Sequence, residues 1–421
     1  MAWIGVIIII ITFIAIMKKY ETRTVLFVSG LVMCIISGQT LQAFDFLTKT
    51  LVSGLVPIIV TAMGFAAVIN YTKCDEHFSY LALKHITRFQ AILIPGTVFL
   101  IWFVSISLTS PAGLAAAIGP IIIPVLIRSG VYPAMAASAV LAGTWGSFSS
   151  VSSMHIAMVS ELSGTAVPTL VIDTLVASIV SLIVCCVAIT AMAIFKKEHK
   201  GYVLQGSEEH VGADVTEFKV NYLKALMPLM PIIILLLSVK PLEVIISLSV
   251  SQVMIICTIL TCIVTRQSPF EITKKFCDGI GNGYGSVLTL IAAAAVFTGG
   301  LGAIGLTGLL VGAMKESTAL AKFASAAGPF FIGVLSGSGD AGTLAFNTSI
   351  TPFAQEFGMK IEQLGMTAYF SGGLGRTMSP VAAVVIILAQ IAGVSPIELS
   401  KRVTPAMLLS AIVGSFMLLY M

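Results

Sequence analysis

One unit occurs twice in this chain. It is a polar tip between two apolar arms, followed by a long apolar helix with a second polar interruption at its middle. A shift of 228 residues lays Phe103 on Phe331, Ser110 on Ser338, Pro124 on Pro352 and Gly130 on Gly358. One inserted residue later, Gly146 falls on Gly375 and Ser150 on Ser379. Broken helices at corresponding places in two halves of an apolar chain are the sequence mark of a secondary transporter's binding site.

The solvent for such a chain is lipid. It is 57% hydrophobic and 10% charged, with mean hydropathy +1.04, whereas a soluble domain carries roughly 25% charged residues. The expected fold class is therefore an all-α integral membrane protein. Residues 1–17 have no basic stretch before the apolar run and no small-residue cleavage site after it, so they read as a retained span and not a signal peptide. The formal charge of +4 gives no reason to expect a nucleic-acid partner. Of seven cysteines, none forms a CxxC pair or lies near clustered histidines, which leaves neither a disulfide framework nor a metal site to expect.

A crossing needs about 20 apolar residues. Five are expected in each half: 2–17, 24–38, 51–70, 131–160 and 168–195, then 225–239, 242–265, 280–303, 360–392 and 401–420. Segments 91–128 and 322–357 have apolar arms but are interrupted at their centres by Ser, Gly and Pro. They read as re-entrant hairpins, which need protein or a water-filled cavity around their irregular backbone. With the N-terminus outside, seventeen Lys and Arg residues fall in inside loops and five in outside loops, and Arg376 lies within a span. That asymmetry follows the positive-inside rule only if neither hairpin crosses. An odd number of crossings per half makes the two repeats opposite in orientation, an inverted repeat with both termini on the outer side. The expected organisation is residues 1–195 as one repeat, 196–224 as a cytoplasmic linker with a solvated charge run, and 225–421 as the other repeat. Segment 73–90 reads as an amphipathic helix in the interface, either an anchor or an arm joining the hairpin to a scaffold.

The candidate chemistry gathers at the tips and breaks. The first tip offers Thr109 and Ser110, and the first break Ser147, Ser149, Ser150, Ser152 and Ser153. The second tip offers Ser338, Gly339, Asp340, Asn347 and Thr348, and the second break Arg376, Thr377 and Ser379. Helix N-termini exposed at a break suit carboxylates, and glycines such as Gly339, Gly372, Gly373 and Gly375 let backbone approach a ligand. Arg376 is the sharpest single residue, because an arginine inside a span is by default functional. Its planar fork pairs with a carboxylate through two parallel hydrogen bonds. The other reading is a structural ion pair with Asp340. Asp340 itself could hold a proton, a cation such as Na+, or that salt bridge, and His155 is either a proton relay or a packed histidine. Asn347 is a further coupling-ion candidate. Ser150 and His155 lack an orienting acid and an elbow motif, so a hydrolase is not expected, nor any organic cofactor. No span carries the sustained polar stripe that a passive channel requires.

Residues 372–381 (GGLGRTMSPV), followed by AGVSP at 392–396 and Lys401-Arg402, resemble the C-terminal signature of the anaerobic C4-dicarboxylate carrier family, DcuC type. SGSGD at 336–340 is similar to that family's second hairpin tip, with Asp340 where the family more often has Asn. VLFVSG at 25–30 and GFAA at 64–67 also resemble it. The first tip departs from it in carrying Pro111, and the first break in its serine content and Trp145. The resemblance implies exchange or proton-coupled movement of succinate, fumarate or malate across a bacterial inner membrane by an elevator motion. Relatives of this architecture carry amino acids or other carboxylates, which remains the alternative. On this reading Arg376, Thr377, Ser379, Ser338, Gly339, Thr109, Ser110, Ser149 and Ser150 bind substrate. Residues 24–70 and 242–303 then form a scaffold and the surface of a homodimer.

Overall fold

The computed structural model describes residues 2–18, 20–86, 93–202, 220–236, 248–315 and 317–420, and they are all helix and connecting turns. The first half holds α1 (Ala2–Met17), α2 (Thr22–Ile36), α3 (Thr40–Leu51), α4 (Leu55–Tyr71), α5 (Cys74–Ile86), α6 (Leu93–Ser107), α7 (Pro111–Arg128), α8 (Pro133–Ala142), α9 (Met154–Ser163) and α10 (Val167–Phe195). The second holds α11 (Tyr222–Leu226), α12 (Met230–Leu236), α13 (Val250–Thr265), α14 (Pro269–Asn282), α15 (Thr289–Ala303), α16 (Leu306–Lys315), α17 (Thr318–Ser336), α18 (Gly339–Ser349), α19 (Ile361–Met378), α20 (Ala383–Ala392) and α21 (Pro396–Tyr420). The shift that aligns the tips also carries the start of α2 onto α13 and of α7 onto α18. After the inserted residue it carries α9 onto α20 and α10 onto α21.

Among the described residues, five helices are long and apolar enough to cross a membrane, or seven if two bent pairs each count as one span. Large apolar side chains face outward, including Val187 at 64% exposure and Ile263 and Ile412 at 65%. In water such surfaces would associate, so lipid is the medium that explains them. The chain is a multi-pass helical membrane protein.

Several elements differ from expectation. Residues 40–51 and 306–315 are helices α3 and α16 where loops were expected. The expected crossing 225–239 is divided into α11, a 3-10 turn and α12, because Pro228 and Pro231 each remove a backbone donor. The next crossing is described from Leu248, with α13 starting at Val250; residues 237–239 and 242–247 of these two expected crossings lie outside the described set, as do 87–90 of the interfacial segment, 91–92 of the hairpin and 203–219 of the linker. Nor is the described start of the linker simply solvated. Glu198 meets Arg402 through two hydrogen bonds, Nε to Oε2 at 2.8 Å and Nη2 to Oε1 at 2.6 Å. Both side chains are largely buried there. The interfacial helix expected at 73–90 is α5 as far as Ile86.

Two groups of helices result. In one, α2 lies on α15 and α4 on α14, with α3 and α13 alongside. Small residues set these crossings: a Cβ on Gly30 would come within 2.5 Å of the Val296 carbonyl, and one on Gly279 within 2.5 Å of the Met63 carbonyl. Close backbone approach at small residues is the usual basis of helix packing in membranes. The other group interleaves the halves, with α17 and α21 against α19, α10 against α21, and α7 and α8 against α20. Here Gly375 lies so close to α17 that a Cβ would overlap the Phe330 carbonyl, and Gly372 is similarly pressed against Thr343. These two glycines are therefore occupied by helix packing, whereas Gly373 has open space where its Cβ would be.

That contrast is testable in purified protein. Gly375→Ala forces overpacking that costs about 1–3 kcal/mol, while Gly373→Ala meets nothing. Unfolding followed by a thiol-reactive dye, which reports release of buried Cys185 and Cys257, should show a clearly lower melting temperature for Gly375→Ala alone. Equal melting of the two variants would contradict the packing described.

Candidate functional site

The two tips are built alike. Ser110 caps α7 by accepting the Gly113 N–H at 3.2 Å, with Pro111 preset for the first helical position. Ser338 occupies the equivalent place on α18 and accepts the Ala341 N–H at 3.3 Å. Gly337, at φ +72°, ends α17 in the left-handed conformation that lets the chain reverse. The aligned serines thus perform the same local task in both copies. Helix α7 then bends by 46° between Pro120 and Ile122.

The breaks lie against each other. Helix α8 stops at Ala142 and α9 starts at Met154, with a 3-10 turn over Gly146–Ser149 between them. A stopped helix leaves carbonyls without intrahelical donors. The Thr144 carbonyl receives Nη2 of Arg376 at 3.3 Å, from the second break. Tyr369, on α19, donates its hydroxyl to the Ser147 carbonyl at 3.0 Å and accepts from Ser153 Oγ at 2.8 Å. His155 Nε2 lies 2.8 Å from Asp340 Oδ1, and its ring packs on Tyr369 with centroids 4.5 Å apart. Every one of these contacts joins one half of the chain to the other.

They surround a cavity of about 370 Å³, in the size range of small-molecule sites. Its walls include Thr109, Ser110 and Pro111 from the first tip, and Gly339 and Asp340 from the second. Ser147, Ser152, Ser153, Met154 and His155 come from the first break and the start of α9. Tyr369, Gly373 and Arg376, spaced as one face of α19, complete that side. The opposite wall is Ile59 and Met63 of α4 with Asn282, Ser286 and Val287. Three helix N-termini, those of α7, α9 and α18, therefore open onto one space, and each carries positive partial charge.

The charged groups of the wall are few. Arg376 uses Nη2 on Thr144 and on the Thr377 hydroxyl, 3.3 Å away, and its buried Nε has no acceptor. Asp340 exposes 55% of its side chain, whereas His155 exposes 3%. Of the partners open to Asp340, the one within hydrogen-bond distance is His155, at 2.8 Å, and among the described residues no Arg376–Asp340 bridge accompanies it. An acceptor-poor guanidinium, three helix N-termini and a carboxylate held by a histidine can receive an anion while keeping one site for a proton or small cation.

The remaining candidates are spread around this space. Thr377 is buried and donates to the Gly373 carbonyl at 2.9 Å, and Ser379 is buried at the end of α19. Ser338 is engaged in its cap. Ser149 turns away to Ser178 at 3.2 Å, and Ser150 accepts the Ser152 N–H at 3.3 Å. Asn347 is buried, donating to the Gly365 carbonyl at 3.2 Å and accepting from Thr351 at 2.8 Å, which ties α18 to α19. Sequence reasoning did not single out Tyr369, Asn282 or Ser286. Their signals were present: Tyr369 stands two helical turns before Arg376, and Asn282 and Ser286 lie four apart in a glycine-rich stretch. That stretch forms a π-helical turn over Gly283–Leu288 inside one 35-residue helix, a feature that often marks functional positions.

Comparison with known proteins bears on the same site. A transporter of Haemophilus influenzae (strain ATCC 51907 / DSM 11121 / KW20 / Rd), described as putative and uncharacterized, is 37% identical over 64% of this chain and 98% of its own length. The anaerobic C4-dicarboxylate transporter DcuC of Escherichia coli (strain K12) is 25% identical over 97% of this chain and 94% of its own. A probable anaerobic C4-dicarboxylate transporter DcuC of Vibrio cholerae serotype O1 (strain ATCC 39315 / El Tor Inaba N16961) is 23% identical over 96% and 95%. The family model for the C4-dicarboxylate anaerobic carrier, DcuC, matches residues 2–421. The chain belongs to the DcuC family of transporters.

Proposed function

We propose that this protein is a secondary transporter of C4-dicarboxylates such as succinate, fumarate and malate in a bacterial inner membrane. The observation that carries the reading is the convergence of three helix N-termini and the Arg376 side chain on one cavity. One carboxylate of the substrate takes the guanidinium, and the other takes N–H and hydroxyl groups at the tips, including Thr109 and Ser110. The alternating positions of the cavity are reached by an elevator motion, in which α6–α10 and α17–α21 move against the α2–α4 and α13–α15 group. The repeated order of elements supports inverted repeats, with the helix pairs α6–α7 and α17–α18 as re-entrant hairpins and both termini outside. Homodimerisation through the α2–α4 and α13–α15 group belongs to the same proposal.

Charge gives the coupling. Arg376 and Asp340 cancel, and a dianion brings two uncompensated charges into a low-dielectric space. A proton shared by Asp340 and His155, or a sodium ion at Asp340, lowers that cost. Of the coupling candidates, Asn347 is less suited because both ends of its amide are engaged with neighbouring helices. Asp340 also favours a second reading, transport of an amino acid whose ammonium group faces this carboxylate.

Purified protein in liposomes, offered labelled succinate, fumarate, aspartate and citrate under proton or sodium gradients, distinguishes these readings. Saturable uptake with counterflow is expected, and flux rising linearly with gradient would exclude a carrier. Arg376→Lys keeps the charge but not the planar fork. Loss of one charge-assisted hydrogen bond, about 1.5–3 kcal/mol, should lower uptake at low substrate about ten- to hundredfold. Unchanged uptake would remove Arg376 from the role proposed. In Asp340→Asn, gradient-driven accumulation should fall more than homoexchange does. An equal fall in both would place coupling elsewhere.

A further inference from the structure

A second cavity, of about 360 Å³, lies along α4 and α14 and shares Asn282 with the first. The residues of both cavities form continuous helical stripes. On α4 the stripe is Ile59, Met63, Ala67 and then Asn70 and Tyr71, each step three or four residues. On α14 and the π-helical turn that follows it, the stripe descends from Ser286 and Asn282 to Gly279, Asp278 and Lys275. Residues so spaced share one face of a helix, and the path from Ile59 to Tyr71 is about 18 Å long at roughly 1.5 Å per residue.

We infer that the groove over this seam, where the two helices are in close contact at Gly279 and Met63, is the route by which substrate reaches the cavity from one membrane face. The α4 wall is apolar from Ile59 to Ala67 and then carries Asn70 and Tyr71, and the other carries Asn282 with Asp278 and Lys275 beyond it toward the mouth. Polar side chains such as these face water or protein in preference to hydrocarbon. Lys275 stands at the outer end, 3.7 Å from Asp278 and 5.7 Å from the centre of the Tyr71 ring. It is thus held beside the mouth and partly balanced by Asp278, which lets an anion pass without being trapped. The mouth lies beside Lys73, Lys274 and Lys275, on the face that the positive-inside rule assigns to the cytoplasm.

The inference rests on the transporter reading and is tested with the full chain in liposomes. Cys277, which is exposed, is first replaced by Ser, and Asn70→Cys is introduced. A membrane-impermeant anionic methanethiosulfonate is supplied from the lysine-rich face or from the other. We expect modification only from the lysine-rich face, with loss of succinate exchange in the modified protein. Succinate at about ten times its Kd leaves roughly one carrier in eleven empty and should slow modification about tenfold. Modified protein that exchanges succinate at the full rate, or modification unaffected by succinate, overturns the route. Ala67→Trp provides a second arm: it should narrow the seam and slow exchange while leaving protection of the protein against heat by succinate intact. Full-rate exchange in that variant also overturns the route. Failure of the parent to exchange any dicarboxylate would instead refute the functional reading.

Discussion

A helix that stops inside a packed apolar protein leaves carbonyls with no intrahelical donor, and the rest of this structure is arranged around that constraint. The hydrogen bond from Arg376 to the Thr144 carbonyl is where one broken helix answers the other. It places a permanent cation at the junction, because a guanidinium with five N–H donors can satisfy a carbonyl and still have donors to offer a ligand. Tyr369 repeats the arrangement one step away, bridging the Ser147 carbonyl and the Ser153 hydroxyl. The same group of interactions therefore closes the backbone and shapes the cavity.

The two copies are alike in frame and unlike in charge. Ser110 and Ser338 occupy equivalent positions and cap equivalent helices. The residue equivalent to Asp340 is Ala112, and the one equivalent to Arg376 is Ser147, which also lines the cavity. The two copies share a pair of serine-capped helix ends at one cavity, and both formal charges lie in the second copy. His155 belongs to the first copy, so the Asp340–His155 contact is made across the halves.

Much of this was legible in the sequence. The alignment of Ser110 with Ser338 and Gly146 with Gly375 located tips and breaks, because the local needs of caps and interrupted helices leave fixed residue types at fixed spacing. Arg376 stood out because an unpaired cation is costly in a span. What sequence could not give is which side of a polar segment faces inward. Ser149 and Ser150 look equivalent to Ser147 and Ser152, yet the 3-10 turn sends Ser149 toward Ser178. Gly372, Gly373 and Gly375 are indistinguishable as letters, and only the position of α17 separates packing glycines from the one at the cavity. The partner of Asp340 was likewise a tertiary matter, since His155 is 185 residues away.

The interleaving of the halves has a consequence for how the chain comes into being. Ser153 and His155 find their partners on Tyr369 and Asp340, and Glu198 finds its own on Arg402. During synthesis these polar groups enter the membrane roughly two hundred residues before the segments that complement them exist. At translation rates of about 5–20 residues per second, the first half waits on the order of ten seconds or more in an incomplete state. Its hydroxyls and imidazole must meanwhile be kept wet, or held by the insertion machinery, until α18 and α19 arrive, and α21 then closes the molecule.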